Sequence, residues 1–410
     1  MKCFSPLPVA VAVSLCFSCA SALAATTSTI EVGADQVYTE DIDIFAENRV
    51  GGIKNNGTIK NDHVIMDIKT SSDGIFQNNG SIETNVIDLF VSSTQTIGGN
   101  IKADKAFIYR GSKSNKIDLA LTAMIDTPLL HIVGIDRTND NQVGLLVKQS
   151  SSLTNVDAIR IEANGGRTGL VFDAGEHQYV NTITLVNNKE SADARVVSNE
   201  GASVTLSSVV VEGGKGAIQA DNNSSISVEK LDVKDESGVN IAGYGTTNGT
   251  GNITLNEVFL GKNSTLAAME HKGDAHSVNI LGDISLTLDA GAVADFVKES
   301  PSGSDRKTNE AVLKADSLNI VVLDAHSENN VLLSKENTKL SSDKISVTGA
   351  SSSNTGNVEA DLNALGDIVQ YATKTKDGDT TTVTGTDDVE GVRVEQLASD
   401  LYDGASATVG

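Results

Sequence analysis

The chain of 410 residues is poor in the residues that rounded globular domains use to fill their cores. It contains no Trp and only 4 Pro, and aromatic residues make up 4% of it, with hydrophobic residues at 39%. Its 3 Cys are Cys3, Cys16 and Cys19. Beyond this N-terminal segment the chain therefore has no disulfide, no thiolate nucleophile and no cysteine metal ligand. The composition favours a thin core of Val, Ile and Leu over a rounded globule.

Basic residues are also scarce. The chain has 31 Lys and Arg against 54 Asp and Glu, and without Lys2 the balance is 30 against 54, a formal charge of −24. Such a surface is a poor partner for nucleic acid or for an anionic membrane, so neither is expected to bind. No stretch reaches 18 consecutive apolar residues, and the sequence therefore predicts no transmembrane helix.

The N terminus has the pattern of an export signal. Lys2 supplies a short positive region, residues 9–19 form a short apolar segment, and Ala22–Ala24 offers a cleavage site of small residues. We therefore predict a signal peptide over residues 1–24 and export across the inner membrane of a Gram-negative bacterium.

One apolar pattern recurs five times between residues 154 and 260. It has the spacing apolar, one residue, apolar, two residues, apolar, one residue, apolar, and its first two copies begin with a polar residue. The last members of the copies are residues 161, 185, 211, 233 and 260, at intervals of 24, 26, 22 and 27. A recurrence of this length is typical of a stacked solenoid. The copies are Thr154, Val156, Ile159, Ile161; Gln178, Val180, Ile183, Leu185; Val204, Leu206, Val209, Val211; Ile226, Val228, Leu231, Val233; and Ile253, Leu255, Val258, Leu260.

The two-residue interruption predicts a corner. Side chains alternate faces along a strand, so both apolar pairs face one core only if the chain bends between them. A third strand fits between copies, at residues 168–172, 194–198, 216–220 and 238–242. The predicted fold is all-β: a right-handed parallel β-helix with about three strands per 22–27-residue coil.

The rest of the chain is divided by its composition. We expect an N-terminal cap at 25–50, the β-helix at 51–299, a C-terminal β-helix region at 310–371 and a flexible tail at 372–410. Residues 300–309 are polar and predict a loop. Leu362, Leu365, Ile368 and Val369 have helical spacing, which predicts a short helix between Ala360 and Tyr371.

Groups that carry chemistry are scattered, and the sequence predicts no catalytic, cofactor-binding or metal-binding residue and no cofactor. Serine lacks the surroundings of a hydrolase nucleophile. Because β-helices also serve as polysaccharide lyases and hydrolases, a carbohydrate-active enzyme with loop carboxylates at 136–176 is the alternative hypothesis. The close pairs that were weighed are Asp41/Asp43, Asp136/Asp140, Asp173/Glu176, Asp387/Asp388 and His271/His276.

The sequence resembles the passenger domain of a Gram-negative type V autotransporter, of the pertactin-like parallel β-helix kind. The resemblance covers most of residues 25–410 and lies in the general character of the sequence, without a single diagnostic motif. It is carried by the signal segment, the cysteine-free chain beyond it, the Gly- and Asn-rich repeats Asn55–Ile59 (NNGTI) and Asn78–Ile82 (NNGSI), and the tail Leu397–Gly410.

This resemblance implies a function and partners. Passengers of this family are exported by the Sec machinery and are attached to a C-terminal outer-membrane barrel, which this chain lacks; a truncated product is expected. The resemblance implies a surface-exposed or secreted protein with a non-enzymatic structural or adhesive role. Its ligand would be a protein or a glycan on a host or bacterial surface.

Overall fold

The computed structural model describes the chain over residues 29–46, 51–68, 75–91, 95–111, 116–119, 123–135, 142–149, 151–189, 192–221, 223–244, 249–268, 276–297, 311–323, 329–349, 358–377, 380–396 and 406–408. Residues 1–24, the expected signal peptide, and the expected loop at 300–309 lie outside these ranges. Almost everything described is β-strand, as the sequence predicts, because β-branched and aliphatic residues alternate with polar ones over short stretches.

The strands vary in length and follow one another at small intervals. Those of the N-terminal half are β1 (Thr29–Val32), β2 (Val37–Tyr38), β3 (Ile42–Ala46), β4 (Gly52–Asn55), β5 (Thr58–Lys60), β6 (His63–Ile68), β7 (Ile75–Asn78), β8 (Ser81–Val91), β9 (Gln95–Ile97), β10 (Asn100–Gly111), β11 (Lys116–Leu119), β12 (Met124–Gly134), β13 (Gln142–Lys148), β14 (Ser152–Ala163), β15 (Gly166–Asp173), β16 (Glu176–Asn187) and β17 (Ala192–Asn199).

The C-terminal half continues in the same way and adds the described helical segments. They are β18 (Ser203–Glu212), β19 (Lys215–Asp221), β20 (Ser225–Val233), β21 (Gly238–Tyr244), β22 (Gly249–Leu260), β23 (Thr265–Ala268), β24 (His276–Leu281), β25 (Asp283–Leu288), β26 (Val293–Asp295), β27 (Ala311–Leu313), β28 (Ser317–Val322), β29 (Asn330–Leu333), a 3₁₀ helix (Ser342–Lys344), β30 (Ile345–Gly349), α1 (Val358–Gly366), β31 (Val369–Asp377), β32 (Thr380–Asp388), β33 (Arg393–Gln396) and β34 (Ser406–Thr408).

Two parallel ladders run along the molecule. Sheet A has 15 strands, in the order β1-β4-β7-β9-β11-β13-β15-β17-β19-β21-β23-β26-β29-β31-β32, and they pair in parallel except for the last pair, β31 and β32. Sheet B is formed by the remaining strands, and each of its long strands pairs in parallel with the long strand of the next coil. The predicted fold class is confirmed, because stacked parallel strands form a β-solenoid.

The predicted corner lies within sheet B. In β18 and β20 the four residues of each apolar pattern are all buried. The long strand β22 pairs before its corner with β24 and after it with β25, which are separated at Gly282. One sheet A strand and two segments of sheet B therefore make up a coil, and the third strands expected at 168–172, 194–198, 216–220 and 238–242 lie in β15, β17, β19 and β21.

In the first two apolar copies, only members before the corner were assigned one residue out of place, and Val156 and the members after the corner are buried as predicted. Tyr179 is buried and pairs with Leu206, whereas Val180 is 58% exposed. In the same way Leu153 is buried and Thr154 is exposed. The register with the neighbouring strand shifts between Ser152 and Asn155 in β14 and between Tyr179 and Thr182 in β16, and the added residue moves the preceding positions to the opposite face.

A column of glycines lines another corner of the first coils. A Cβ atom on Gly57 would lie 2.1 Å from the Gly33 carbonyl oxygen, and one on Gly80 would lie 2.1 Å from the Gly57 oxygen. Gly99 continues the column with the same distance to Gly80 and has φ of +65°. The NNG repeats therefore place glycine where neighbouring coils approach too closely for any side chain.

The two ends of the solenoid differ. The residues expected to form an N-terminal cap contain β1, β2 and β3, which pair in parallel with β4, β5 and β6 and so form the first coil. At the C-terminal end, β31 pairs with β32 and β33 with β34, and both pairs are antiparallel. Strand structure therefore extends into the range 372–410, which was expected to be an irregular tail.

The predicted short helix is present with shifted bounds. It begins at Val358 and ends at Gly366, and its residues Leu362 and Leu365 are buried. Ile368 and Val369 are also buried, but Val369 begins β31. In the described part of the chain, no helix has the length and apolar character needed to cross a membrane.

Candidate functional site

The structure brings one of the carboxylate pairs from the sequence together with a histidine. Asp41 and Asp43 lie on the first coil, and His63 lies on the second. His63 Nε2 is 3.1 Å from an Asp43 carboxylate oxygen, and Nδ1 is 3.6 Å from Asp41 Oδ2. The backbone N–H of Asp62 also donates to Asp41 at 2.9 Å. These carboxylates therefore join two coils.

Asp173 and Glu176 are separated by a tight turn. Ala174 and Gly175 both have positive φ, so the chain reverses between sheet A and sheet B there. Asp173 accepts a hydrogen bond from Asn199 Nδ2 at 3.3 Å, and Glu176 is exposed at the start of β16. The turn directs the two carboxylates to different sheets.

The remaining pairs do not form a site in the described residues. Asp136, Asp140 and His271 lie outside them, and His276 is described by its backbone alone. Asp387 is exposed and lies 3.9 Å from Lys335 Nζ, and the neighbouring Asp388 faces Gln370 in the antiparallel ladder.

An open polar cleft of about 610 Å³ lies beside the corners of the first coils. Each acidic side chain that lines it is 21 residues from the next, which places one on each coil. Lys60 Nζ lies 3.1 Å from Glu83, and Lys102 Nζ lies 3.6 Å from Asp104. Within the described ranges, no group of three or more His, Cys, Asp and Glu side chains is arranged to hold a metal ion. The acidic lining residues are Asp41, Asp62, Glu83 and Asp104.

The best-defined polar arrangement is a row of ion pairs on the outer surface of sheet B, after the corner. We call it the ionic strip. It begins with Asp88 on β8 and Arg110 on β10, where Arg110 Nε and Nη2 donate to the two carboxylate oxygens at 2.8 and 2.7 Å. The Arg110 guanidinium also lies 6.0 Å from the centre of the Phe90 ring. The strip consists of Asp88, Arg110, His131, Arg160, Glu162 and Glu212.

Glu162 is the centre of the next group. Its Oε2 lies 3.2 Å from His131 Nε2 and 3.6 Å from Arg160 Nε, and its Oε1 accepts from Asn188 Nδ2 at 2.9 Å. Arg160 reaches onward to Glu212, with Nη1 3.6 Å from Oε2. The hydrogen bond with His131, together with smaller contributions from Asn164 and Arg160, lowers the pKa of Glu162 to about 2.

The pKa of Asp88 shifts in the opposite direction to that of Glu162, because Asp88 is more deeply buried. Its side chain is 12% exposed, and burial raises its pKa although the Arg110 charge opposes the rise. Both Asp88 oxygens are occupied by Arg110, and Glu162 stays ionised at neutral pH. Neither carboxyl group is placed to donate a proton, whereas both tie one coil to another.

Comparison with known proteins brings no match to this chain: no family model, no curated protein and no solved structure matches it. Its possible functions must therefore be argued from the solenoid and its surfaces.

The ionic strip was not predicted from the sequence. Asp88 and Arg110 are 22 residues apart, and His131 and Glu162 are 31 apart, so neither pair stands out in a search for neighbouring groups. Aligning the outward positions of successive coils would have revealed the first pair, because 22 residues is one coil length in this chain.

Proposed function

We propose that this protein is the passenger of a type V autotransporter, displayed on the surface of a Gram-negative bacterium or released from it, with a structural or adhesive role. The observation that supports the role is the ionic strip. Its charged groups bind one another between coils and do not converge on a cavity, as the groups of an active site do. The same pairs make an extended polar surface of both charges, which suits contact with a protein or glycan.

Export is part of the same proposal. The signal segment at 1–24 fits entry into the Sec machinery, and the cysteine-free remainder fits a chain that crosses the periplasm unfolded. An outer-membrane barrel is the partner that display requires. The ligand on a host or bacterial surface would meet the outer faces of the sheets.

Display can be tested in a Gram-negative host that carries the chain fused ahead of a heterologous translocator barrel. We expect protease added to intact cells to remove the chain, and cells carrying it to bind host-cell or bacterial surfaces better than cells carrying the barrel alone. A matched fusion without residues 1–24 should leave the chain inside. Loss of protease sensitivity in the complete fusion would contradict display, and unchanged cell binding would contradict adhesion.

A second assay separates adhesion from the enzymatic alternative. The purified chain is incubated with a panel of acidic and neutral polysaccharides, and the formation of reducing ends and of unsaturated uronic products is followed. We expect neither. Turnover that disappears in Arg160→Ala or Glu162→Gln would show that the strip is a catalytic site of a carbohydrate-active enzyme.

A further inference from the structure

The first coil has one side of its backbone unoccupied by any strand that the structure describes. β1 pairs with β4, β2 with β5 and β3 with β6, each on one side. Over the described ranges no strand pairs with their other side. A strand edge of this kind presents N–H and C=O groups that a further strand can bind.

Two hydrogen bonds define which groups face outward. The Val32 carbonyl accepts from Asn56 N at 2.9 Å, and the Gln36 carbonyl accepts from Thr58 N at 3.0 Å. Along a strand, the polar groups of alternate residues point to opposite sides. Because Val32 and Gln36 face the second coil, Glu31 and Val37 present their N–H and C=O groups to the open side.

The side chains around this edge have a distinctive chemistry. Val37 is 64% exposed and Phe45 is 51% exposed, so the edge offers apolar contacts. Residues 29–46 contain five acidic residues and no Lys or Arg. A second copy of the same edge would be repelled by these charges, whereas a cationic segment would be attracted. The acidic residues are Glu31, Asp35, Glu40, Asp41 and Asp43.

We propose that the open edge of the first coil binds a basic, extended segment of a partner protein, which pairs with β1 in sheet A and, beyond the turn between Gly33 and Gln36, with β2 in sheet B. Backbone hydrogen bonds would supply the affinity, and alternating Lys or Arg side chains would be attracted by the net negative charge of the first coil. Val37 and Phe45 would contact apolar residues of the added strand. The proposal goes beyond adhesion by the outer faces, and it depends on the edge alone.

The test uses the full-length chain and a fluorescent synthetic peptide of alternating Val and Lys residues. Anisotropy should show saturable binding that weakens as salt is added, and the matched Val and Glu peptide should not bind. Hydrogen exchange followed by mass spectrometry should show new protection confined to the peptides that contain Glu31 and Val37.

Two substitutions remove the outward donors without removing a ladder hydrogen bond. Glu31→Pro and Val37→Pro each delete an N–H that faces the open side, where proline is tolerated at an edge. We expect each to weaken peptide binding about tenfold. Glu31→Gln keeps the backbone donor and should weaken peptide binding much less. Glu257→Gln, on a distant coil, should leave the affinity for the peptide unchanged. Circular dichroism checks that each variant folds.

Several outcomes would overturn the proposal. They are equal binding of the acidic peptide, binding that both proline variants retain in folded form, and protection that appears away from the first coil. Concentration-dependent dimerisation through the same edge would also overturn it, because a second copy would then be the occupant.

Discussion

The side-chain amide of Asn55 donates to the side-chain carbonyl of Asn78, one coil further along, at 2.7 Å inside the solenoid. Asn78 in turn donates to the Gly98 carbonyl at 2.7 Å, and Asn55 Oδ1 accepts from the backbone of Gly57 at 3.1 Å. Both asparagines are buried, so each side chain satisfies backbone groups that water cannot reach. The first asparagine of each NNG repeat is thus a core residue.

Asn78→Ala should destabilise the protein by about 1–3 kcal/mol, because Asn55 and the Gly98 carbonyl each lose a buried partner. Asn79→Ala is the matched control: Asn79 is exposed, and its hydrogen bond to Asn56 can be replaced by water. That variant should stay within about 0.5 kcal/mol of the wild type. Urea titration followed by circular dichroism measures both. Equal effects of the two substitutions would contradict a special role for the buried asparagines Asn55 and Asn78.

Gly80→Ala should be more damaging, by about 3 kcal/mol or more, since its Cβ would lie 2.1 Å from the Gly57 carbonyl oxygen and the two coils would have to separate. Gly385→Ala provides the comparison, because a Cβ there has nothing within 4 Å. Thermal unfolding should distinguish the two clearly. If Gly80→Ala unfolds like the wild type, the coils are not in close contact at this corner.

Arg110→Ala should cost roughly 2–3 kcal/mol at neutral pH, because it leaves the Asp88 carboxylate buried without its charged donors. Burial already raises the Asp88 pKa above its usual value, and removal of Arg110 should raise it further. A raised pKa means that the folded variant binds a proton more tightly, so its stability relative to the wild type should recover as pH falls.

The double variant Asp88→Asn, Arg110→Ala tests the cause of that loss. It has no buried charge to leave unpaired and should be more stable than Arg110→Ala alone at pH 7. Urea titrations between pH 7 and pH 4 make both comparisons. A deficit in Arg110→Ala that does not depend on pH would mean that lost packing on Phe90 is the main cause.

Glu162→Gln should reduce stability at neutral pH but not in strong acid. The folded-state pKa of Glu162 is lowered from 4.5 to about 2, so the ionised carboxylate stabilises the fold above pH 4.5. This stabilisation is lost as pH falls through about 2, and the gap between variant and wild type should close over that interval. Chemical unfolding from pH 6 down to pH 2 measures the gap.

His131→Ala completes the experiment on Glu162, because the hydrogen bond with His131 is the largest cause of the lowered pKa. Alone, it should make the pH dependence of stability shallower between pH 4.5 and pH 2. Combined with Glu162→Gln, it should add little. Fully additive effects would show that the two side chains act independently.

The apolar rhythm of the chain made its fold predictable. Val204, Leu206, Val209 and Val211 are all buried because alternation within a strand and a bend of two residues permit one inward arrangement. Val180 was misplaced because a single extra residue at a corner reverses the alternation, and the residues at corners are polar and variable. At β31 and β32 the chain reverses direction to form an antiparallel pair, and no apolar periodicity in the sequence predicts this reversal.

The polar contacts were harder to predict for a different reason. Asn55 was noted only as part of a Gly- and Asn-rich repeat, and local sequence does not distinguish an asparagine that points inward from one that points to solvent. The Asp88–Arg110 pair depends on the register between coils, which a single sequence specifies only once the coil boundaries are known.

The register of β18 on β20 has a consequence for the length of the molecule. Ser203 pairs with Ser225, and Val204, Leu206, Val209 and Val211 stack on Ile226, Val228, Leu231 and Val233. An in-frame deletion of residues 203–224 would join Ala202 to Ser225, which occupies the position of Ser203 in the next coil. It would shorten the solenoid by one strand spacing, about 4.8 Å, without changing its cross-section. A gene built in this way can alter the length of its product in whole coils.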